Sequence, residues 1–246
     1  MARSRALTAA LDGDEIGEAV FSGAARFEQD DLRGTAAEAR YLPSAGSLRL
    51  SGTEAGALPR VQDANVIIDG REIDVSLAGR GMEARGGVKT TLLPAATGGP
   101  RTTTDTAKRP GLFAQGTVVN VSADAIAYEG SARRASYRGD ATLWQGETAI
   151  RANVIDVDEV KGDLTATGNA RSTIAMDGGS SIAQANTIRY VDATRAMHYS
   201  GLTDAKGATA QQARLSGPQG DLQADRIDVV LRQGATQDRK STRLNS

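Results

Sequence analysis

One short motif recurs six times along this chain, and its spacing constrains the fold more than any other feature. The copies are AAEARY (36–41), GREIDV (70–75), ADAIAY (123–128), ANVIDV (152–157), ANTIRY (185–190) and ADRIDV (224–229). In the first five, a glycine follows the last motif residue at an offset of 11: Tyr41 to Gly52, Val75 to Gly86, Tyr128 to Gly139, Val157 to Gly168 and Tyr190 to Gly201. The sixth copy would place its glycine at 240, where Lys240 stands instead. Self-similarity at a fixed spacing signals stacked supersecondary units.

Each copy alternates in the manner of an extended strand. In ADRIDVVL, Ile227, Val229 and Leu231 share one face, while Arg226 and Asp228 share the other. In GREIDVSL, Ile73, Val75 and Leu77 line up against Asp74 and Ser76. Period-2 alternation with β-branched residues predicts strands. A turn segment follows each motif, as in LPSAGS or VDEVKGD. A second short strand then ends at the glycine, as in SLRLSG, DLTATG and AMHYSG. Each unit is therefore a hairpin, and its glycine marks a bulge or corner into the next layer. The N-terminal LTAALDGDEIGEAVFSG is read as strand-turn-strand in preference to a short helix. The predicted fold is all-β: an open-ended stack of antiparallel hairpin units.

Composition excludes several function classes. Net charge is −1, so no global field favours nucleic acid or an anionic membrane surface. The chain has no cysteine, which removes disulfides and thiolate chemistry. With one Trp, five Tyr and three Phe, the core must be built mainly from aliphatic residues. No stretch is apolar enough for a membrane-crossing helix, and Met1 to Arg5 lacks the apolar run of a signal peptide.

Catalytic constellations are weak. His198 is the single histidine and is read as a surface strand residue. Asp74, Asp156 and Asp228 occupy equivalent polar-face positions, which stacked repeats would bring into a row. A solvated face is the preferred reading over a cation ladder or a sugar-cleaving set. DVDEVKGDLTATG (156–168) lacks the glycine and terminal glutamate of a calcium loop. Gly79–Ala84 fits a dinucleotide fingerprint in spacing, but no helical segment follows it. Trp144 is read as a core residue. The expectation is a non-enzyme without metal or cofactor.

The segment 137–174 carries a resemblance. Its Tyr137, Gly139, Ala141, Leu143, Gln145, Gly146, Ile150, Ala152, Ile155, Gly162, Leu164, Ala166, Gly168 and Ala170 resemble the ordered pattern of the OstA/LptA-type domain of lipopolysaccharide transport. Residues 185–231 fit the same pattern. Residues 20–52 fit it more loosely and resemble a related LptC-like portion. The division implied is a partial unit over 1–97, a linker or long loop over 98–110, a β-jellyroll over 111–237, and a non-native tail over 238–246. The basic, polar tail stands where the sixth unit's second strand is expected.

The resemblance implies a periplasmic β-jellyroll that passes lipopolysaccharide from inner to outer membrane along a hydrophobic groove. It also implies edge-strand addition to other Lpt-type β-jellyrolls or to a second copy head to tail. Lipid A acyl chains would contact an inward ladder of Leu143, Ile155, Val157, Ile188, Tyr190, Ile227 and Val229, with Ile73, Val75 and Leu77 in the first unit. A structural β-solenoid and a β-helix enzyme acting on polysaccharide are the alternatives.

Overall fold

The computed structural model describes residues 1–52, 58–77, 79–94, 108–176, 179–203, 209–218 and 220–231. The positions expected to form most of the linker and the non-native tail lie outside these residues. In chain order the strands are β1 (Ala2–Arg3), β2 (Ala6–Asp12), β3 (Glu15–Gln29), β4 (Leu32–Leu42), β5 (Ser47–Ser51), β6 (Arg60–Gln62) and β7 (Val66–Asp69). They continue with β8 (Glu72–Ser76), β9 (Gly81–Leu92), β10 (Val119–Glu129), β11 (Arg134–Gln145), β12 (Thr148–Asp158), β13 (Asp163–Met176) and β14 (Gly179–Val191). The last are β15 (Ala196–Ser200), β16 (Leu202–Thr203), β17 (Thr209–Gln211), β18 (Ala213–Gly217), β19 (Gly220–Ala224) and β20 (Arg226–Val230). The one helical piece among the described residues is a 3-10 turn at Pro43–Ala45. The N-terminal segment is strand-turn-strand, as its alternation predicts.

Among the described residues all pairings are antiparallel, and 18 strands form one sheet. The long strands are bent, and each belongs to two walls. Strand β11 pairs through Arg134–Arg138 and again through Ala141–Gln145, with a register break at Gly139 and Asp140. Breaks at the same level interrupt β3, β12 and β13. The hairpin's second strand, expected to stop at the repeated glycine, therefore runs through it in β9, β11 and β13. Gly86, Gly139 and Gly168 have φ of 83°, 79° and 81°, and the residues after them are also left-handed. Two consecutive left-handed residues turn a strand sharply without ending it. At Gly52 and Gly201 the strand does end, and β6 and β18 take up the second wall.

The two walls face one another across a single apolar cluster. One wall (the motif wall) contains the apolar halves of the six motifs: Ala39, Ile73, Val75, Ile126, Ile155, Val157, Ile188, Tyr190 and Ile227 are all buried. The other wall contributes Val61, Ile68, Val88, Val121, Leu143, Ile150 and Ile174. The bent corners join the walls along one edge. Along the opposite edge, the hairpin turns of both walls meet as two rows. The sheet is continuous from the first unit to the second because β9 pairs with β10 along both walls. At the ends of the stack, β2 is exposed along its length, and among the described residues β20 pairs only with β15.

Trp144 departs from its expected place. Leu143 takes the inward phase of β11, so Trp144 faces outward and is half-buried beside Val118 and Asn120. Adjacent strand residues point to opposite faces, so both cannot be in the core.

Candidate functional site

Midway along the stack the walls do not close on each other. A cavity of about 1330 Å3 lies between them and opens through the turn edge. The motif wall lines it with Val75, Met82, Ile126, Tyr128, Tyr137 and Val157; the opposite wall contributes Leu32, Val61, Val66, Ile68 and Leu92. The alternation that packs a closed core elsewhere here presents the same side chains to space.

Three of the ten residues expected on the lipid-facing ladder line this cavity: Val75, Leu77 and Val157. The other seven pack against the rest of the core. Ile73, Leu143, Ile155, Ile188 and Tyr190 are buried at 0–1% exposure, Ile227 is buried and Val229 is half-buried. Sequence reasoning missed Tyr128, Tyr137 and Met82 as cavity residues. Tyr128 ends a motif copy, so its position was available from the repeat.

A strap crosses the turn edge beside the cavity. Residues 108–118 run from the turns of the motif wall to a turn of the other wall. The Lys108 N–H donates to the Glu159 carbonyl at 2.8 Å, and Lys108 Nζ pairs with Asp192 at 2.7 Å. The Gly111 N–H donates to Asp192 Oδ1 at 2.8 Å. A Cβ at Gly111 would lie 2.6 Å from that oxygen, so a larger residue would displace the Asp192 carboxylate. At the far end, the Ala114 N–H donates to Gln145 Oε1 at 2.6 Å, and Gln145 Nε2 donates to Thr117 Oγ1 at 2.7 Å. Between these anchors Phe113 is inserted into the core at 3% exposure. A Phe after Pro110-Gly111, in a chain with three Phe, was the available signal for this plug.

The polar groups at the mouth are tuned by burial. Tyr128 donates to Glu159 Oε2 at 3.1 Å. Burial raises the Glu159 pKa despite that bond, because the charged form loses water. Burial also raises the pKa of Tyr137 and of Tyr128, with Glu159 adding to the shift at Tyr128. Asp192 moves the other way. Burial opposes its ionisation, but Lys108, the Gly111 N–H and the Tyr190 hydroxyl together hold it below the usual carboxylate range.

The repeated aspartates lie on the outer face. Asp74 pairs with Arg49 at 2.6 Å and with Arg85 at 3.7 Å. Asp228 accepts from His198, at 2.6 Å, and from Arg226, which lower its pKa in that order. Asp156 is exposed. Among the described residues, no group of three or more His, Asp or Glu is placed to hold a metal ion. No helix among them is long and apolar enough to cross a membrane.

No curated protein matches the chain. The crystal structure of LptH, the LptA homologous periplasmic component of the conserved lipopolysaccharide transport device from Pseudomonas aeruginosa, is similar over 68% of this chain and 81% of that one. Its identity is 13% and its TM-score 0.28. Residues 120–233 match the family model described as LptA/(LptD N-terminal domain) LPS transport protein. The bent strands from β10 to β20, with the motif copies and corner glycines on which the resemblance rests, fall within that span. Over residues 120–233 the chain is thus similar to the OstA/LptA-type family of LptA and the LptD N-terminal domain.

Proposed function

We propose that this protein is a periplasmic component of lipopolysaccharide transport that holds acyl chains between its walls while the headgroup stays at the turn edge. The observation that carries this reading is the cavity of about 1330 Å3, apolar within and charged at the rim. It exceeds the roughly 300–1,000 Å3 of a pocket for a drug-sized ligand. Acyl chains need apolar walls and no catalytic group, which agrees with a non-enzymatic role. The open strands at both ends of the stack suit addition of another Lpt-type β unit or a second copy, and so a bridge role. The division into a first unit over 1–97 and a jellyroll over 111–237 fits this reading, with the strap running from the end of the linker into the second unit.

The competing reading is a structural β-solenoid, in which inward side chains serve only packing. The cavity favours the transport reading, because a purely structural stack gains nothing from separated walls. Photo-crosslinking residues at Leu77 and Val157, with outward Asp156 as control, separate the two. Lipopolysaccharide adducts are expected from the two inward sites alone. A folded protein giving no inward adduct with lipid in excess returns the solenoid reading to first place. Lipid reaching the packed positions Ile155 and Ile188 would further require the strap to move.

A further inference from the structure

The motif wall reaches the mouth through five turns, and each holds one left-handed residue just before the next strand. These are Gly46, Arg80, Arg133, Gly162 and Arg195, with φ from 49° to 78°. Glycine adopts such angles freely, whereas other residues are strained there. Three of the five positions carry arginine, and all three arginines line the cavity. The turn that has Gly162 receives its cation from the strap: Arg109 also lines the cavity, and its carbonyl would stand 3.2 Å from a Cβ at Gly162. One guanidinium per layer therefore edges the mouth, in the order Arg80, Arg133, Arg109, Arg195. Successive turns of one wall are two strands apart, about 10 Å.

The carboxylates of this lip are already engaged. Asp192 holds the strap and Glu159 accepts from Tyr128, while Asp63, on the opposite lip, accepts from the N–H groups of Asn65 and Val66. Arg195 donates to the Leu231 carbonyl. Among the described residues, Arg80, Arg133 and Arg109 form no ion pair within 4.0 Å. Arg109 is half-buried, its Nη1 donates to the Thr117 carbonyl at 2.9 Å, and loss of water lowers its pKa. Asp30 and Asp31 sit on the opposite lip, which leaves the arginine side as the one that attracts an anion. Strained backbone and desolvated charge are both retained where a ligand uses them.

We propose that Arg80, Arg133 and Arg109 form an anion site at the mouth, which binds the phosphate monoester of an amphiphile whose chains lie in the cavity. It rests on the acyl-binding reading above. Guanidinium groups present paired donors that match phosphate oxygens. The row would fix the polarity of the lipid, headgroup outward on the motif-wall side, and set the step between successive layers.

The test uses Arg80→Gly and Arg133→Gly, singly and together, and Arg109→Gln. The glycine variants remove the cation while easing the turn, so folding is retained. Three ligands are titrated: phosphorylated lipid A, its dephosphorylated form, and inorganic phosphate. The double variant is expected to lose roughly tenfold or more in affinity for phosphorylated lipid A, with the dephosphorylated form bound as by the unsubstituted protein. Unchanged affinity for phosphorylated lipid A, in a protein that binds both lipids, overturns the arginine site and leaves the acyl trough standing. Failure of the unsubstituted protein to bind either lipid overturns both readings. Inorganic phosphate bound as tightly as the phosphorylated lipid would make this a free-phosphate site and overturn the lipid assignment.

Discussion

Asp124 stands directly over Gly139: a Cβ on that glycine would lie 2.6 Å from the Cβ of Asp124. The same relation joins Arg71 to Gly86, at 2.8 Å, and Asn153 to Gly168, at 3.0 Å. In each pair the second residue of a motif copy covers the glycine fifteen residues on. The fixed spacing is thus a cross-strand contact at the corner, where one strand's side chain needs its neighbour to have none.

Gly139→Ala is expected to destabilise by about 2–5 kcal/mol. Left-handed backbone costs an L-residue about 1–2 kcal/mol, and overpacking adds about 1–3 kcal/mol. Adding Asp124→Gly should recover the steric part but not the backbone part. Urea denaturation of the single and double variants measures both. A Gly139→Ala protein as stable as the parent would refute the account of the repeat.

Asp192→Asn should loosen the strap, and Trp144 reports it. The single tryptophan adjoins Ala114 and Thr117, so its emission is expected to shift when the strap leaves. The folded pKa of Asp192 is depressed. Its stabilisation is therefore present above the ordinary aspartate value near 3.8 and is lost as pH falls below that value through the folded pKa. Acidification into that window should reproduce the Asp192→Asn emission while the β-sheet circular dichroism signal persists. An emission change that tracks loss of the sheet instead would place the event in global unfolding.

Glu159→Gln carries the opposite sign. Burial raises the folded pKa of Glu159, so its carboxylate costs stability above the ordinary value near 4.5. The glutamine keeps an acceptor for Tyr128 without the charge. A higher melting temperature than the parent is expected at neutral pH, with the difference shrinking as pH falls below the raised pKa. Thermal melts across pH decide this, and a lower neutral melting temperature would show that the charge is needed.

Ile155→Ala and Asp156→Asn contrast the two faces of one strand. Ile155 is fully buried, and truncation there should cost about 2–5 kcal/mol. Asp156 is exposed, so its change should stay within about 0.5 kcal/mol and leave lipid adducts at Val157 intact. Loss of a polysaccharide-cleaving activity in Asp156→Asn would instead revive the enzymatic alternative.

The phase of each motif strand follows from alternation alone. Ile73, Ile155, Ile188 and Ile227 are inside because residues two apart share a face and water excludes the apolar one. The corner glycines were equally legible, because a side chain covers Gly86, Gly139 and Gly168 at a constant separation along the chain. Trp144 was misplaced because it was set on the apolar phase, opposed to Thr142, whereas Thr142 and Trp144 share the outer face and Leu143 takes the inner one.

Periodicity assigns a side chain to a face but says nothing of what stands across from it. Val157 meets open space and Ile155, two residues away, meets a packed core. That difference depends on how far apart the walls lie at each level and on where Phe113 enters. The strap that sets it is held by Asp192 and Gln145, 81 and 31 residues distant from the backbone groups they bind. A local pattern determined the strands, their faces and their corners. Contacts between distant parts of the chain decided which stretch of the apolar interior remains open.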